Sequence, residues 1–338
     1  MKKHGIKILS AVLALIMFSA VLVSCMREAD PGGAGRTVPS TEAQTAPEPS
    51  GTDGQDTAPA TETETETETE QGGILPPPAG TVSRPADFSA IDAIPRVFFP
   101  DAADDGQGTW YMGQTIYDSA TGEITTKFER DPETLAILEK YGAIYLKNAD
   151  QKVVYLTFDC GYENGYTTKI LDVLKEKDAK AIFFVTGDYI DSSSDIISRM
   201  LDEGHLVGTH TNHHNNMALL SSEDFIDEIL SNEEKLKSHI PDAPDMIYYR
   251  PPMGAASEWA LAMAQAMGLT TVFWSWTQYD YDLDNQPDPY TALENAKSGL
   301  RPGCVYLLHA VSPTNASILG DLIDFIRAQG YEIRRMDQ

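Results

Sequence analysis

The sequence predicts an α/β protein of about seven parallel strands joined by helices, set behind a long segment with no core of its own. Three observations carry this. From residue 153 to the C-terminus, strand-like and helix-like segments alternate, as parallel strands with crossover helices require. Hydrophobic residues make up 42% of the 338-residue chain, enough for a sizeable core. Residues 26–90, by contrast, are rich in Pro, Gly, Ser, Thr and Ala and poor in large apolar side chains.

Taken in chain order, Lys2 and Lys3 precede an apolar run over 8–23, and small residues lead into Cys25. This is the pattern of a secretory signal. Leu22-Val23-Ser24-Cys25 looks like a lipobox, so residues 1–25 are expected to be a lipoprotein signal peptide, with Cys25 the lipidated first residue of the mature chain. The apolar run is short for a membrane span of ~20 residues. The expected address is the outer face of the cytoplasmic membrane, on the cell-wall side, with a membrane contact through the lipid. Residues 26–90 are expected to be a disordered linker, and the alternating Thr-Glu repeat over 61–70 extends it by charge repulsion. Residues 91–150 are expected to form an extension packed on the main domain, with a helix over 134–142 stopped by Gly142.

The main domain is expected over 151–338. Strands are predicted at 153–158, 181–186, 206–209, 246–249, 271–276, 304–308 and 331–334. Helices are predicted at 168–177, 194–203, 222–239, 257–267, 290–297 and 317–329, the fourth capped by Ser257 and closed by Gly268. Such strands close into a (β/α) barrel or form an open doubly wound sheet. In both, the C-terminal strand ends share one rim, and the rim carries the site. Asp159 follows the first strand, His210 the third, Arg250 the fourth and His309 the sixth, while Asp280 lies just past the fifth. Each alone has an ordinary explanation: a capping Asp, a satisfied His, a surface Arg. Their joint placement points to one active site.

His210-Thr211-Asn212-His213-His214 sets two imidazoles four residues apart, a spacing that suits a divalent metal, although alone it also describes a polar surface turn. His213 adjoins His214 and cannot point the same way in a regular element. Asp159 and His309 form the natural acid–base pair. A carboxylate takes the proton from a water whose pKa a metal brings towards ~7, and a protonated imidazole gives one to a leaving amine. Asp280 is the candidate to orient that His, and Arg250 to hold Asp159 ionised.

Charge excludes other classes. The net charge is −26, and residues 151–338 alone carry 14 Lys and Arg against 28 Asp and Glu. Such a surface repels phosphate backbones, so nucleic acid is not an expected partner. Three cysteines, Cys25, Cys160 and Cys304, are too few for a disulfide framework. Cys160 and Cys304 fall at opposite ends of their parallel strands, beyond the ~7 Å that a bridge spans.

The ordered set Thr157-Phe158-Asp159-Cys160-Gly161, His210 to His214, Arg250-Pro251-Pro252-Met253-Gly254, Trp274 to Asp280 and Leu307-Leu308-His309 resembles the NodB-type polysaccharide deacetylases, carbohydrate esterase family 4. The likeness covers residue 153 to the C-terminus. It implies a distorted (β/α) barrel, the NodB homology domain. It implies a hydrolase in which Asp159 is the base, His210 and His214 bind the metal, Arg250 orients the base, His309 is the acid and Asp280 its partner. The divalent ion implied is zinc first, with manganese or magnesium as alternatives. Tyr155 to Thr167, Phe183 to Gly187 and Tyr306 to His309 further resemble the delta-lactam-forming muramic acid de-N-acetylases of spore-forming bacteria. The implied reaction removes the acetyl group of N-acetylmuramic acid in a peptidoglycan strand and leads to the muramic δ-lactam. Alternatives are a deacetylase of N-acetylglucosamine or another acetylated wall polysaccharide, and a non-catalytic wall-binding lipoprotein.

The sequence departs from the family at Cys160, where most members carry an Asp that is the third metal ligand. Three readings follow: a thiolate ligand completing a His₂Cys site, a small neutral filler, or a site that has lost its metal. The filler ranks first, because the position need not aim a sulfur at the metal, and the lost site ranks last, because the other site residues remain. Among the aromatics around the motifs, Tyr162 and Tyr279 are the expected sugar-stacking residues, and Trp274 reads as core.

Overall fold

The computed structural model describes residues 80–94, 96 and 132–338, and between 96 and 132 three short strands: β1 (Trp110–Tyr111), β2 (Gln114–Tyr117) and β3 (Ile124–Lys127). The expected signal segment with Cys25, and the expected linker up to residue 79, lie outside the described residues.

The spine of the fold is β4 (Val153–Cys160), in which every residue is buried. A strand is buried throughout only when both its faces are covered, as in a parallel sheet flanked by helices. β5 (Ala181–Val185), β6 (Leu206–Thr209), β7 (Tyr248–Tyr249) and β9 (Thr270–Thr271) follow it in parallel order, and β10 (Cys304–His309) pairs with the other edge of β4. The two-residue β8 (Ala255–Ala256) pairs with β1 instead, and β11 (Glu332–Ile333) pairs with the start of β4. The curled sheet meets itself through isolated bridges: Ile144 with Val272, Leu146 with Cys304, and Trp276 with Tyr306. The fifth strand expected at 271–276 is thus two residues of ladder followed by bridged, irregular chain. This is where the barrel is distorted.

Strand pleat sorts the core into two layers. Tyr155, Ile182, Phe184, Tyr249, Val272, Val305 and Leu307 share the inner cluster. Leu156, Phe158, Cys160, Phe183, Val185, Tyr306 and Leu308 share the outer one, against the flanking helices. These helices are α3 (Thr167–Glu176), α4 (Gly187–Asp202), α5 (Ser222–His239), α6 (Glu258–Ala266), α7 (Pro289–Ser298) and α8 (Pro313–Ala328). They follow the short α1 (Ser89–Asp92) and α2 (Pro132–Lys140). Fully burying one Leu or Phe side chain contributes roughly 1.5–3 kcal/mol, so these two layers hold the sheet.

Two helices begin earlier than the sequence suggested. The helix expected from 194 starts at Gly187, because Thr186 accepts the Tyr189 N–H as N-cap, and it continues across a kink at Ser193. The helix expected from 317 starts at Pro313, capped by Ser312. The expected linker also meets the domain before residue 90. The Val82 N–H donates to Asp245 and the Ser83 N–H to Met267. Ile91 enters the core, and the Arg96 guanidinium lies 3.7 Å over the Trp259 ring.

Candidate active site

Asp159 is the last inward-facing residue of β4, in register with His309 of β10 on one side and Phe184 of β5 on the other. Arg250 follows β7 and is fully buried. Its Nη1 donates to Asp159 Oδ1 at 2.8 Å, while Nε and Nη2 donate at 3.0 Å to the carbonyls of Val272 and Phe273. The guanidinium lies 4.2 Å over the Phe184 ring. Three fixed donors leave it no second orientation. Burial works to raise the Asp159 carboxyl, but the charges of Arg250, His210 and His309 outweigh it and hold the group below the ordinary Asp value.

His210 Nδ1 lies 2.8 Å from the Arg250 carbonyl oxygen, which assigns the ring proton to Nδ1 and turns the Nε2 lone pair inward. Nε2 faces Asp159 Oδ2 at 3.5 Å. Burial lowers His210 to about 4, so the gap between these two lone-pair carriers is not filled by an imidazole proton near neutral pH. The rings of His210 and His214 meet edge to face with centroids 4.8 Å apart. His214 sits at the exposed rim. The imidazole nitrogens of His210 and His214 are donors that suit a divalent cation, with positions left open for water and substrate. Among the described residues no three His, Cys, Asp or Glu side chains are placed together so as to hold a metal ion, so the protein's donors here are the histidine pair.

The loop between the two histidines is held in an unusual backbone. Thr211 and His214 have φ of 67° and 57°, and a β-branched residue in the left-handed region persists only where its surroundings impose it. The Asn232 amide donates to the Thr211 carbonyl, and the His214 N–H donates to Thr211 Oγ1. Buried Glu228 accepts from the His213 backbone N–H at 2.9 Å and pairs with His213 Nδ1 at 2.7 Å. His213 therefore turns to the back of the loop, away from the pair.

Cys160 is not brought to the site. The strand runs on through residue 160, so the pleat sends its side chain opposite to Asp159, into the outer cluster. Burial, then the charges of Asp159 and Glu163, push its thiol well above the usual range, so it stays protonated. The ligand reading is corrected on this ground, and Cys160 fills space. Cys304 is likewise a free, buried thiol.

On the far side of Asp159, His309 Nδ1 lies 2.6 Å from Oδ1 of fully buried Asp280. The His309 backbone N–H donates to Asp280 Oδ2 at 3.1 Å. Burial lowers the imidazole, but the Asp280 charge and hydrogen bond outweigh it and raise His309 above the ordinary value. Asn315 and Gln286, which sequence reasoning passed over, also bind Asp280. Tyr162 and Tyr279 are both half exposed, as sugar-stacking residues need to be. The ring against His309, however, is Tyr281, edge-on at 5.4 Å, with Tyr279 packed behind it. Trp274 is buried, as expected.

A sequence model of the polysaccharide deacetylase family matches residues 146–272. The chain is 42% identical over 203 residues to the peptidoglycan-N-acetylmuramic acid deacetylase PdaA of Bacillus subtilis, covering 60% of this chain and 76% of that one. The chain belongs to the polysaccharide deacetylase family. The solved structure of Bacillus subtilis PdaA, a family 4 carbohydrate esterase, superposes with a TM-score of 0.60 at 39% identity, over 63% of this chain and 89% of that chain. A family 4 pseudoenzyme from Bacillus anthracis superposes with a TM-score of 0.54 at 25% identity, over 58% and 67%. Polysaccharide deacetylases of this family are metal-dependent. The pseudoenzyme shows that this fold does not by itself imply turnover, so the argument for activity rests on the residues.

Proposed function

We propose that this polysaccharide deacetylase removes the acetyl group from N-acetylmuramic acid in peptidoglycan, releasing acetate and leaving an amine that can close to the δ-lactam. The observation that carries the reading is the pairing of two oppositely tuned groups across one rim: Asp159, bound to Arg250 and lowered in proton affinity, and His309, bound to Asp280 and raised. The choice of sugar follows the 42% identical relative.

Amide hydrolysis needs a proton removed from water and a proton given to nitrogen. Asp159 Oδ2, the oxygen not bound by Arg250, takes the first. His309 Nε2 gives the second, since Nδ1 is spent on Asp280. Water adds to the acetyl carbon, the C–N bond breaks, and acetate and a free amine result. Arg250 keeps the base in place and charged throughout. His210 and His214 would hold the divalent ion, for which zinc suits the imidazole donors best. When bound, it polarises the acetyl carbonyl and lowers the pKa of water. Tyr162, Tyr279 and Tyr281 offer faces to the sugar rings. The Leu22–Cys25 motif supports anchoring at the outer face of the cytoplasmic membrane.

The test is acetate release from peptidoglycan stripped of its stem peptides, with zinc, manganese, magnesium or chelator. Metal-dependent release is expected, falling by roughly 100- to 10,000-fold in Asp159→Asn. Release from N-acetylglucosamine alone would move the assignment to the other sugar, and unchanged release in the variant would remove Asp159 as base.

A further inference from the structure

We propose that Asn315 is a positioning residue for the acid half of the site, so that the acid is a three-member relay of Asn315, Asp280 and His309. Its kinetic consequence rests on the deacetylase reading above. Its geometry does not.

Asn315 stands in the first turn of α8 and is buried. The ordinary duty of an Asn there is to cap the helix, but that duty is already discharged. Ser312 Oγ accepts the Asn315 backbone N–H at 3.0 Å, so the side chain is free for other use. Its Nδ2 donates to Asp280 Oδ2 at 2.5 Å and to the His309 carbonyl at 3.2 Å, and its Oδ1 accepts from Gln278 at 3.3 Å. Both Nδ2 partners are acceptors, which fixes the amide orientation.

Asp280 is thereby fully engaged. Oδ1 takes the His309 imidazole, and Oδ2 takes the His309 backbone N–H and Asn315. A buried carboxylate satisfied on both oxygens keeps its charge and its plane, and the plane sets the direction of His309 Nε2. Ser312 links the relay to the loop that carries Asp280. Its hydroxyl donates to Gln286 Oε1 at 2.6 Å, and Gln286 Nε2 donates to the carbonyls of Asp280 and Asp282 at 2.6 and 2.8 Å. The hydrogen bonds form a closed circuit around the backbone of residue 280.

The experiment uses the full chain and two readouts: the downfield proton resonance of His309 Nδ1–H, identified by its loss in His309→Gln, and steady-state deacetylation. Asn315→Asp keeps the shape and the acceptor to Gln278 but replaces the donor. Asn315→Leu keeps the bulk alone. In both, the resonance should be lost or shifted upfield, and kcat should fall on the order of 10-fold or more with KM within about twofold. Gln286→Leu, at a half-buried loop site, should act in the same direction and more weakly. It decides the matter if the Asn315 variants do not fold. An unchanged resonance in folded variants overturns the relay, whatever kcat does. Should the wild-type chain release no acetate, the resonance still tests the relay while the deacetylase reading fails.

Discussion

The two halves of the site solve the same problem by different means. The base half is charge against charge: Asp159 and Arg250 come from the ends of β4 and β7, both buried, with the guanidinium pinned by two carbonyls and a ring. The acid half lies where regular structure gives out. Asp280 sits on an irregular loop, His309 ends its strand partly exposed, and neutral amides and a hydroxyl hold them in place. The base must lower its proton affinity inside a dry wall, which takes a counter-charge. The acid must keep a proton and still reach substrate, which takes orientation at an accessible edge. The difference is one of task rather than of quality.

The sharpest way to break the comparison is Arg250→Leu. Removing one partner of a buried ion pair leaves the Asp159 charge uncompensated, and a loss of about 3–5 kcal/mol in denaturant unfolding is expected together with loss of activity. A variant as stable as the wild type would show that the pair does not hold the base half.

Asp280→Asn tests the acid half by pH. A general acid is fully effective below its pKa and fails as pH rises through it. In the wild-type protein Asp280 raises His309 above 6.5, so the alkaline limb of kcat/KM lies above that value. Without the Asp280 charge, burial dominates and the limb should move to lower pH, while the acidic limb stays. A limb that does not move would remove His309 as the acid.

The smallest effect is expected at Cys160. Cys160→Ser puts a hydroxyl into an apolar layer and should cost about 1–3 kcal/mol in stability. Affinity for zinc, followed by competition with a chelator, should not change. A weakened metal site would restore the thiolate reading rejected above.

Much of this was legible in the sequence, for identifiable reasons. Asp159 ends an apolar run, and His210, Arg250 and His309 end others, so strand pattern alone brought four chemical groups to one rim. The side taken by Cys160 was legible too, since period-two alternation opposes it to Asp159, but only once the strand is known to run two residues past 158. Asn315 was hidden because the helix start was placed at 317, although Ser312-Pro313 is a sound N-cap and first position. Tyr281 was passed over for Tyr279 because no periodicity governs the irregular chain around them. The positive φ of Thr211 and His214 has no local signal, since it is imposed by Asn232 and Glu228, which lie more than a dozen residues away.

The pairing of β4 sets the order in which the site can be finished. Its base is made early, yet its neighbours β10 and β11 are translated after every other strand of this sheet, and the Arg334 N–H donates to the Val154 carbonyl. On the ribosome, Asp159 therefore waits for most of the domain before His309 arrives opposite it. A nascent or prematurely released chain carries the base, Arg250 and both histidines of the metal pair, but no proton donor. The hydrolase becomes complete only when β10 has been made.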